Sequence, residues 1–472
     1  MTDVQHNCGL CVAHSLDETY SLMEQLQHRG REAAGIAAIS DDKIDVVKWQ
    51  GRVESFGRVG LYRLFGDPKY HTFMGHVRYA TRGRKDKILE DAHPHVIGGK
   101  IEHRGSHILI SDCDMAIVHN GQVDESNFQG LEKSLFQTTC DTERLIHLFW
   151  QRGEYDLMKQ INGAFTLAIA DKRRKEILVL RDRTGIKPGV LGKKSGKYGV
   201  ASEDIAFTEN KGDFIEDLEP GHIYYLAPDG GYRKENVIAS QPRHCFFEYT
   251  YIANRESNLN RLSVRHLREA LGEMLALEFR PPDADFVTFL PNCPETAARY
   301  YARVAGLAFE EIFYKVKDER AFQGSSAADR ASSIKANLYI LPKALEVLPG
   351  KTAIVIDDST IRGNNASWAK QLMLDAGAKK VYLANYIPPV GIIGTDNVPR
   401  GCMFGVDMPP NPSPGEEFIA RGRSLEQISE TLGMGMAYLS LDGMLQTFEK
   451  LGMPRQNLCY YCVGGEHPFN GL

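Results

Sequence analysis

Between residues 352 and 386 the chain carries the pattern that leaves least freedom to its fold. Thr352-Ala353-Ile354-Val355-Ile356 is a short, unbroken apolar run, and a polar loop follows from Asp357 to Asn365. Ala366, Ala369, Leu372, Met373 and Ala376 then recur at helical spacing up to Gly377, and Val381 to Tyr386 forms a second apolar run. Strand, loop, helix, strand is the βαβ logic of a parallel sheet. Ligands of such sheets sit at the carboxyl ends of the strands, so the 357–365 loop is where one should be sought.

A chain of 472 residues is too long for one compact core, and two or three domains are expected. Residues 8 to about 245 alternate short apolar runs with Gly, Asp and Asn turns. Ala164 to Ala170 and Ile177 to Leu180 are two such runs, and a helix after Asp141 carries Leu145, Leu148 and Phe149 on one face. This half reads as a strand-rich layered domain. From about residue 263 the pattern changes: Ser263 can cap a helix bearing Val264, Leu267, Leu271, Met274 and Leu275, and Phe286 to Leu290 follows as a short buried strand. Pro409 to Gly415 is a loop before the C-terminal segment.

Composition excludes several classes. The 56 basic against 61 acidic residues leave a net charge of −5, which favours neither nucleic acid nor an anionic membrane as partner. No run of about 18 apolar residues occurs and the first residues have no apolar signal core, so a cytoplasmic location is the expectation. Nine unevenly spaced cysteines do not read as a disulfide framework and point to reduced thiols, catalysis or metal ligation.

Cys8 stands out among them. If residues 1–7 are removed as a leader, its thiol and a free α-amino group share one carbon, and an amine titrating near ~8 can act as base for the thiol. A buried structural thiol, or a Cys8/Cys11 redox or metal pair, are the plainer readings of the same residue. Four further segments bear on the choice: Gln27-His28-Arg29-Gly30, Gly75-His76-Val77-Arg78-Tyr79-Ala80-Thr81, His119-Asn120-Gly121 and Cys140-Asp141-Thr142-Glu143. Singly they read as surface cations, a hairpin turn and a helix cap. Together they supply what amide hydrolysis of a free amino acid requires: an arginine for an α-carboxylate, an aspartate for an α-ammonium, and an Asn side chain with a Gly N–H for an oxyanion.

These motifs, with Arg181-Asp182-Arg183-Thr184-Gly185-Ile186-Lys187-Pro188, resemble a class II glutamine amidotransferase domain. The resemblance implies an α+β four-layer (αββα) N-terminal-nucleophile domain over residues 8–245, preceded by a propeptide, residues 1–7, cleaved autocatalytically. It implies Cys8 as nucleophile, Asn120 and Gly121 as the oxyanion hole, and Arg29, Arg78 and Asp141 around the glutamine, with Arg29 in a supporting part.

In the second half, Asp357-Asp358-Ser359-Thr360-Ile361-Arg362-Gly363 is similar to the ribose 5-phosphate loop of type I phosphoribosyltransferases. Backbone N–H groups ending at a helix N-terminus suit a dianionic phosphate there. The resemblance implies an α/β parallel-sheet domain over residues 246–430, a site for phosphoribosyl pyrophosphate formed by Asp357 to Thr360 and Arg362 to Asn365, and magnesium at Asp357 and Asp358. The tandem resembles one family, the glutamine phosphoribosylpyrophosphate amidotransferases, and Arg320-Ala321-Phe322-Gln323 and Cys245-Phe246-Phe247-Glu248-Tyr249 agree with it. The chain departs from that family in three places. Pro291-Asn292-Cys293-Pro294 stands where Pro-Asp-Ser-Gly is usual, with Cys293 at the serine position that helps place magnesium; Gly363-Asn364-Asn365-Ala366 replaces Gly-Thr-Thr-Ser; and Lys315-Val316-Lys317-Asp318-Glu319 lacks a usual glycine.

The same resemblance implies a [4Fe–4S] cluster on Cys245, Cys402, Cys459 and Cys462, tying a C-terminal segment, residues 431–472, to the rest; four thiolates equally suit tetrahedral zinc. Cys11, Cys113, Cys140 and Cys293 remain as buried thiols. Formation of 5-phosphoribosylamine from glutamine and phosphoribosyl pyrophosphate in a homo-oligomer inhibited by purine nucleotides is the implied activity. A glutamine amidotransferase serving another acceptor, and a non-catalytic nucleotide-binding regulator, are the alternatives.

Overall fold

The structure, a computed structural model, describes residues 8–79, 87–138, 140–315, 338–402, 404, 406 and 408–470. Residues 1–7, most of the 315–319 segment and Arg320 to Gln323 lie outside the described residues.

The first half is built on thirteen strands: β1 (Gly9–Ala13), β2 (Ala33–Ile39), β3 (Ile44–Gln50), β4 (Thr72–Arg78), β5 (His95–His103), β6 (His107–Val123), β7 (Gly163–Asp171), β8 (Ile177–Arg181), β9 (Val190–Lys194), β10 (Lys197–Ala201), β11 (Asp213–Asp217), β12 (His222–Leu226) and β13 (Tyr232–Asn236). They pair in the order β11-β9-β10-β1-β4-β2-β3-β6-β7-β8-β12-β13, with β5 on the flank of β6, and all their pairings are antiparallel. The sheet folds over on itself where the long strand β6 leaves β3, so that β1 and β4 face β6.

Period-two alternation sorts the side chains into layers. Leu10 and Val12 of β1, Met74 of β4, Ala116 and Val118 of β6 and Ala168 and Ala170 of β7 meet between the two leaves. The outer face of the first leaf is covered by α1 (Leu16–Gln25) and α2 (Gly57–Phe65) through Leu22, Met23, Leu61 and Phe65. The outer face of the second is covered by α3 (Asp141–Gln160) through Leu145, Ile146, Leu148 and Phe149. Helix, sheet, sheet, helix is the four-layer architecture expected from the resemblance.

The second half holds a five-stranded sheet of β17 (Phe286–Phe289), β18 (Ala308–Phe309), β21 (Thr352–Asp357), β22 (Lys380–Asn385) and β23 (Gly435–Tyr438), in the order β18-β17-β21-β22-β23, all parallel. Shorter strands flank it: β14 (His244–Cys245), β15 (Asn258–Leu259), β16 (Leu262–Ser263), β19 (Phe313–Lys315), β20 (Leu338–Ile340) and β24 (Leu458–Cys459). The Val264–Glu278 helix is capped by the Ser263 hydroxyl, which accepts the His266 N–H, and buries Leu267, Leu271 and Leu275. The βαβ unit read from sequence is present as β21, a helix at Asn364–Asp375, and β22.

Two expectations need correction. Position 430 is not a boundary: it falls inside the Leu425–Leu432 helix, and β23 beyond it completes the parallel sheet. The loop after β21 ends two residues earlier than expected, since the helix starts at Asn364.

Candidate active sites

Cys8 precedes β1, whose register pairs Gly9 with Val77, so Cys8 comes opposite Arg78 at the end of β4. Cys8 shares its strand face with Leu10 and Val12, Arg78 with Met74, and Asn120 with Ala116 and Val118. Alternation alone therefore sets all three in the layer between the leaves, where each is buried. Cys11, three residues on, faces the helix layer with its thiol toward the Thr19 carbonyl, which rules out a Cys8/Cys11 pair.

Burial pushes the Cys8 thiol up to about 11; the Tyr79 backbone N–H and the cations Arg78, Lys187 and Arg29 pull against that rise. The thiol thus keeps its proton at neutral pH until a base removes it. Arg29 holds the backbone at this point: its Nε donates to the Cys8 carbonyl at 2.9 Å, Nη1 to Glu203 at 2.5 Å and Nη2 to Glu248 at 2.9 Å. All three guanidinium nitrogens are engaged within the protein, which suits Arg29 to hold the backbone at the nucleophile, the supporting part expected of it. Glu248 also takes Lys187 Nζ at 3.0 Å, and Glu203 takes the Asn254 N–H and the Ser257 hydroxyl. The two cations hold the Glu248 carboxyl below the usual range, and His28 with Arg29 does the same for Glu203.

Arg78 differs from Arg29. It is buried, its Nη2 lies 3.6 Å from Asp91 Oδ2, and none of its guanidinium nitrogens has a hydrogen-bond partner among the described residues. Lys48 fixes the neighbouring turn by donating to the Glu90 and Ala92 carbonyls, its own pKa lowered to about 8 by burial. Both amide atoms of Asn120 are likewise buried without a partner among the described residues. Buried polar groups of this kind normally cost a few kcal/mol each, and their concentration beside one thiol marks a place prepared for a ligand.

Asn120 and Gly121 lie inside β6, paired with Thr166 and Phe165, and do not form the hairpin turn their dipeptide permits. Phe165 sends its N–H to the Asp182 carboxylate and receives the Asp182 N–H on its carbonyl, so it faces away from β6. The Gly121 N–H therefore points to the other edge. There it stands between the His119 N–H, accepted by His93 Nδ1 at 3.2 Å, and the Val123 N–H, accepted by Asp141 Oδ2 at 2.8 Å. A Cβ at Gly121 would sit 1.9 Å from the Ala164 carbonyl oxygen, which explains the glycine. Asp141 opens α3, and burial raises its pKa to about 6.

His93, His95 and Cys140 bring ligand-type atoms within 4.8 Å of one another. His93 Nδ1 accepts the His119 amide, which leaves the ring proton on Nε2, 3.7 Å from Cys140 Sγ. A protonated nitrogen is a donor to the thiol and not a metal ligand. Cys140 is thus tied into the wall behind Asp141.

At the second site, Tyr251, Asn292, Cys293, Lys315, Asp357, Asp358, Ser359 and Asn365 line one cavity. Asp357 ends β21, and burial beside Asp358 holds its carboxyl well above the usual range. Ser359 donates to Asp358 at 2.8 Å. The other loop residues turn elsewhere. Thr360 donates to Asn385, Arg362 packs on Glu416, Asn364 is exposed, and Gly363 supplies the left-handed turn (φ +86°) that starts the helix. Cys293 is half-buried in the cavity wall, its thiol on the Tyr251 carbonyl at 3.1 Å, and is not the interior thiol expected. Tyr251, Lys48, Asp91 and Glu203 carry no sequence signal; each acts through partners at least 40 residues away or through a turn that only the fold creates.

Cys245, Cys402, Cys459 and Cys462 line a third cavity, closed by the parallel pairing of β14 with β24, which sets Cys245 beside Cys459. Four thiols around one cavity are a donor set that suits either tetrahedral zinc or a four-iron cluster.

A model of the glutamine amidotransferase domain matches residues 100–229. The chain is 30% identical to the amidophosphoribosyltransferase of Bacillus subtilis, over 95% of this chain and 90% of that protein. It is 31% identical to that of Archaeoglobus fulgidus, over 95% of this chain and 93% of the relative. A solved structure of the glutamine phosphoribosylpyrophosphate amidotransferase from B. subtilis, complexed with ADP and GMP, matches with a TM-score of 0.79 at 27% identity, covering 98% of this chain and 97% of that one. Fold and matches together define a glutamine amidotransferase unit joined to a phosphoribosyltransferase-type domain, an enzyme. The chain belongs to the amidophosphoribosyltransferase family, as the motifs implied.

Proposed function

We propose that the chain hydrolyses glutamine at Cys8 and delivers the ammonia to carbon 1 of phosphoribosyl pyrophosphate at the Asp357–Asp358 cavity, releasing pyrophosphate and forming 5-phosphoribosylamine. The observation that carries the first half is the pair of buried polar groups, Arg78 and Asn120, that have no hydrogen-bond partner among the described residues and share the layer of Cys8.

In this reading residues 1–7 are removed and the new α-amino group takes the Cys8 proton as sulfur attacks the glutamine carboxamide. Arg78 takes the α-carboxylate in a bidentate pair and Asp141 takes the α-ammonium. Asn120 Nδ2 and the Gly121 N–H receive the oxyanion. The same proton passes to the departing ammonia, and water then releases glutamate from sulfur. The domain units are residues 8–245 and a second unit whose sheet extends through β23. Ala164, whose carbonyl abuts Gly121, and Ile186 are continuous with the core of the second half, which supports an internal route for ammonia.

Asp357, Asp358 and Ser359 form an all-oxygen donor set suited to magnesium, which would neutralise the pyrophosphate as it leaves. Asn364 and Asn365 keep the backbone donors of the phosphate loop while replacing two hydroxyls. Cys245, Cys402, Cys459 and Cys462 would hold a [4Fe–4S] cluster that ties the C-terminal segment to both halves. ADP and GMP in the B. subtilis complex support purine nucleotides as inhibitors.

The test supplies purified protein with glutamine, magnesium and phosphoribosyl pyrophosphate and follows glutamate and pyrophosphate together. Equal yields are expected. Glutamate without pyrophosphate would overturn the assignment of the acceptor.

A further inference from the structure

Lys187 is one of the few fully buried lysines among the described residues, and the glutaminase mechanism above leaves it unused. Its backbone carbonyl accepts the Arg181 Nε–H at 3.0 Å and the Thr166 hydroxyl at 3.3 Å, and Thr166 is the residue opposite Asn120 in the β6/β7 ladder. Its ammonium is fixed on Glu248, three residues after Cys245, and Glu248 takes Nη2 of the arginine that holds the Cys8 carbonyl. Lys187 also forms part of the wall of the four-cysteine cavity. Its charge reaches Cys8 on one side and Cys245 and Cys459 on the other. Bulk solvent screens these charges little, since Lys187, Glu248 and Arg29 are each at most 2% exposed in their side chains.

We propose that Lys187 is a positioning residue shared by the two sites, so that the charge state of the four-cysteine site alters the reactivity of Cys8 through Lys187, Glu248 and Arg29. A geometric reason makes the link directional. Glu248 is pulled by two cations, Lys187 on Oε1 and Arg29 on Oε2. A gain of negative charge among the four sulfurs draws Lys187 toward the cavity and leaves Glu248 more fully to Arg29, whose other contacts are Glu203 and the Cys8 carbonyl. This inference rests on the reading of those cysteines as a metal-cluster site.

The experiment compares iron-loaded protein in its oxidised form and after one-electron reduction by dithionite, two forms that differ in charge and share one ligand set. The rate of Cys8 carbamidomethylation is read by peptide mass, and the cluster potential by visible absorption. In the wild type the two rates should differ by about threefold or more, the effect of a partly screened unit charge. Lys187→Arg keeps the difference and the potential. Lys187→Met loses the difference and shifts the potential to more negative values, because a cation beside the thiolates is gone. Glu248→Gln, which retains both cations and breaks their connection, also loses the difference while leaving the potential nearer that of the wild type. A wild type with equal rates in both forms, or a Lys187→Met protein that keeps the difference, overturns the proposal. A protein without iron–sulfur absorption overturns the cluster reading instead; the same rates, measured in metal-loaded and chelator-stripped protein, then decide on Lys187.

Discussion

The Arg78 guanidinium lies 3.6 Å from the Asp91 carboxylate, with both side chains buried, near enough to balance charge and too far to spend a hydrogen bond. That spacing keeps the cation inside the protein with its donors unspent among the described residues. Arg78→Lys should raise the KM for glutamine by about 10-fold or more, because a point charge cannot reproduce the bidentate fork. Cys8 alkylation by a small neutral reagent should change little. Steady-state glutaminase kinetics beside an alkylation time course check both halves of this expectation.

Asn120→Ala removes an oxyanion donor and leaves the strand pairing of β6 intact. A fall in kcat of about 10²-fold or more with a nearly constant KM is expected. A large rise in KM at constant kcat would move Asn120 from transition-state to ground-state binding.

Asp141 sets a pH limit. Its folded pKa of about 6 lies above the ordinary 3.8, so the folded protein holds this proton more tightly than the unfolded chain. The stabilisation from that proton is present at low pH and is lost as pH rises from about 4 to about 6, while glutamine binding needs the charged form. kcat/KM for glutamine should therefore fall on acidification through about pH 6. Asp141→Asn should stabilise the protein at pH 7.5 by up to about 3 kcal/mol while abolishing glutamine turnover. Thermal denaturation and a pH–rate profile give the two signs.

How far the sequence reached depends on whether a residue acts locally. Cys8, Asn120, Gly121 and Asp141 sit in short motifs whose chemistry is complete within a few residues, and the fold brings them to one layer by strand alternation. The βαβ unit was readable because its apolar spacing is set by one strand and one helix. The Arg29–Glu248 contact was not, because it joins residues 219 apart in the chain, and neither has a partner pattern nearby. Arg362 is legible only in part: its motif is local, but its contact with Glu416, 54 residues on, is made by the fold alone.

The Arg29 network should also govern acid stability, in the sense opposite to Asp141. Glu203 and Glu248 have folded pKa values below the ordinary 4.5, so their contribution is present above that value and is lost as pH falls through the lower folded values. Glu203→Gln leaves Arg29 and His28 facing a neutral amide in a fully buried site and should cost about 3 to 5 kcal/mol at pH 7. The deficit should shrink on acidification below about pH 4.5, where the wild-type carboxylate begins to lose its own advantage. Urea unfolding at pH 7 and pH 4 measures the difference, and an equal deficit at both values would place the role of Glu203 in packing and not in charge.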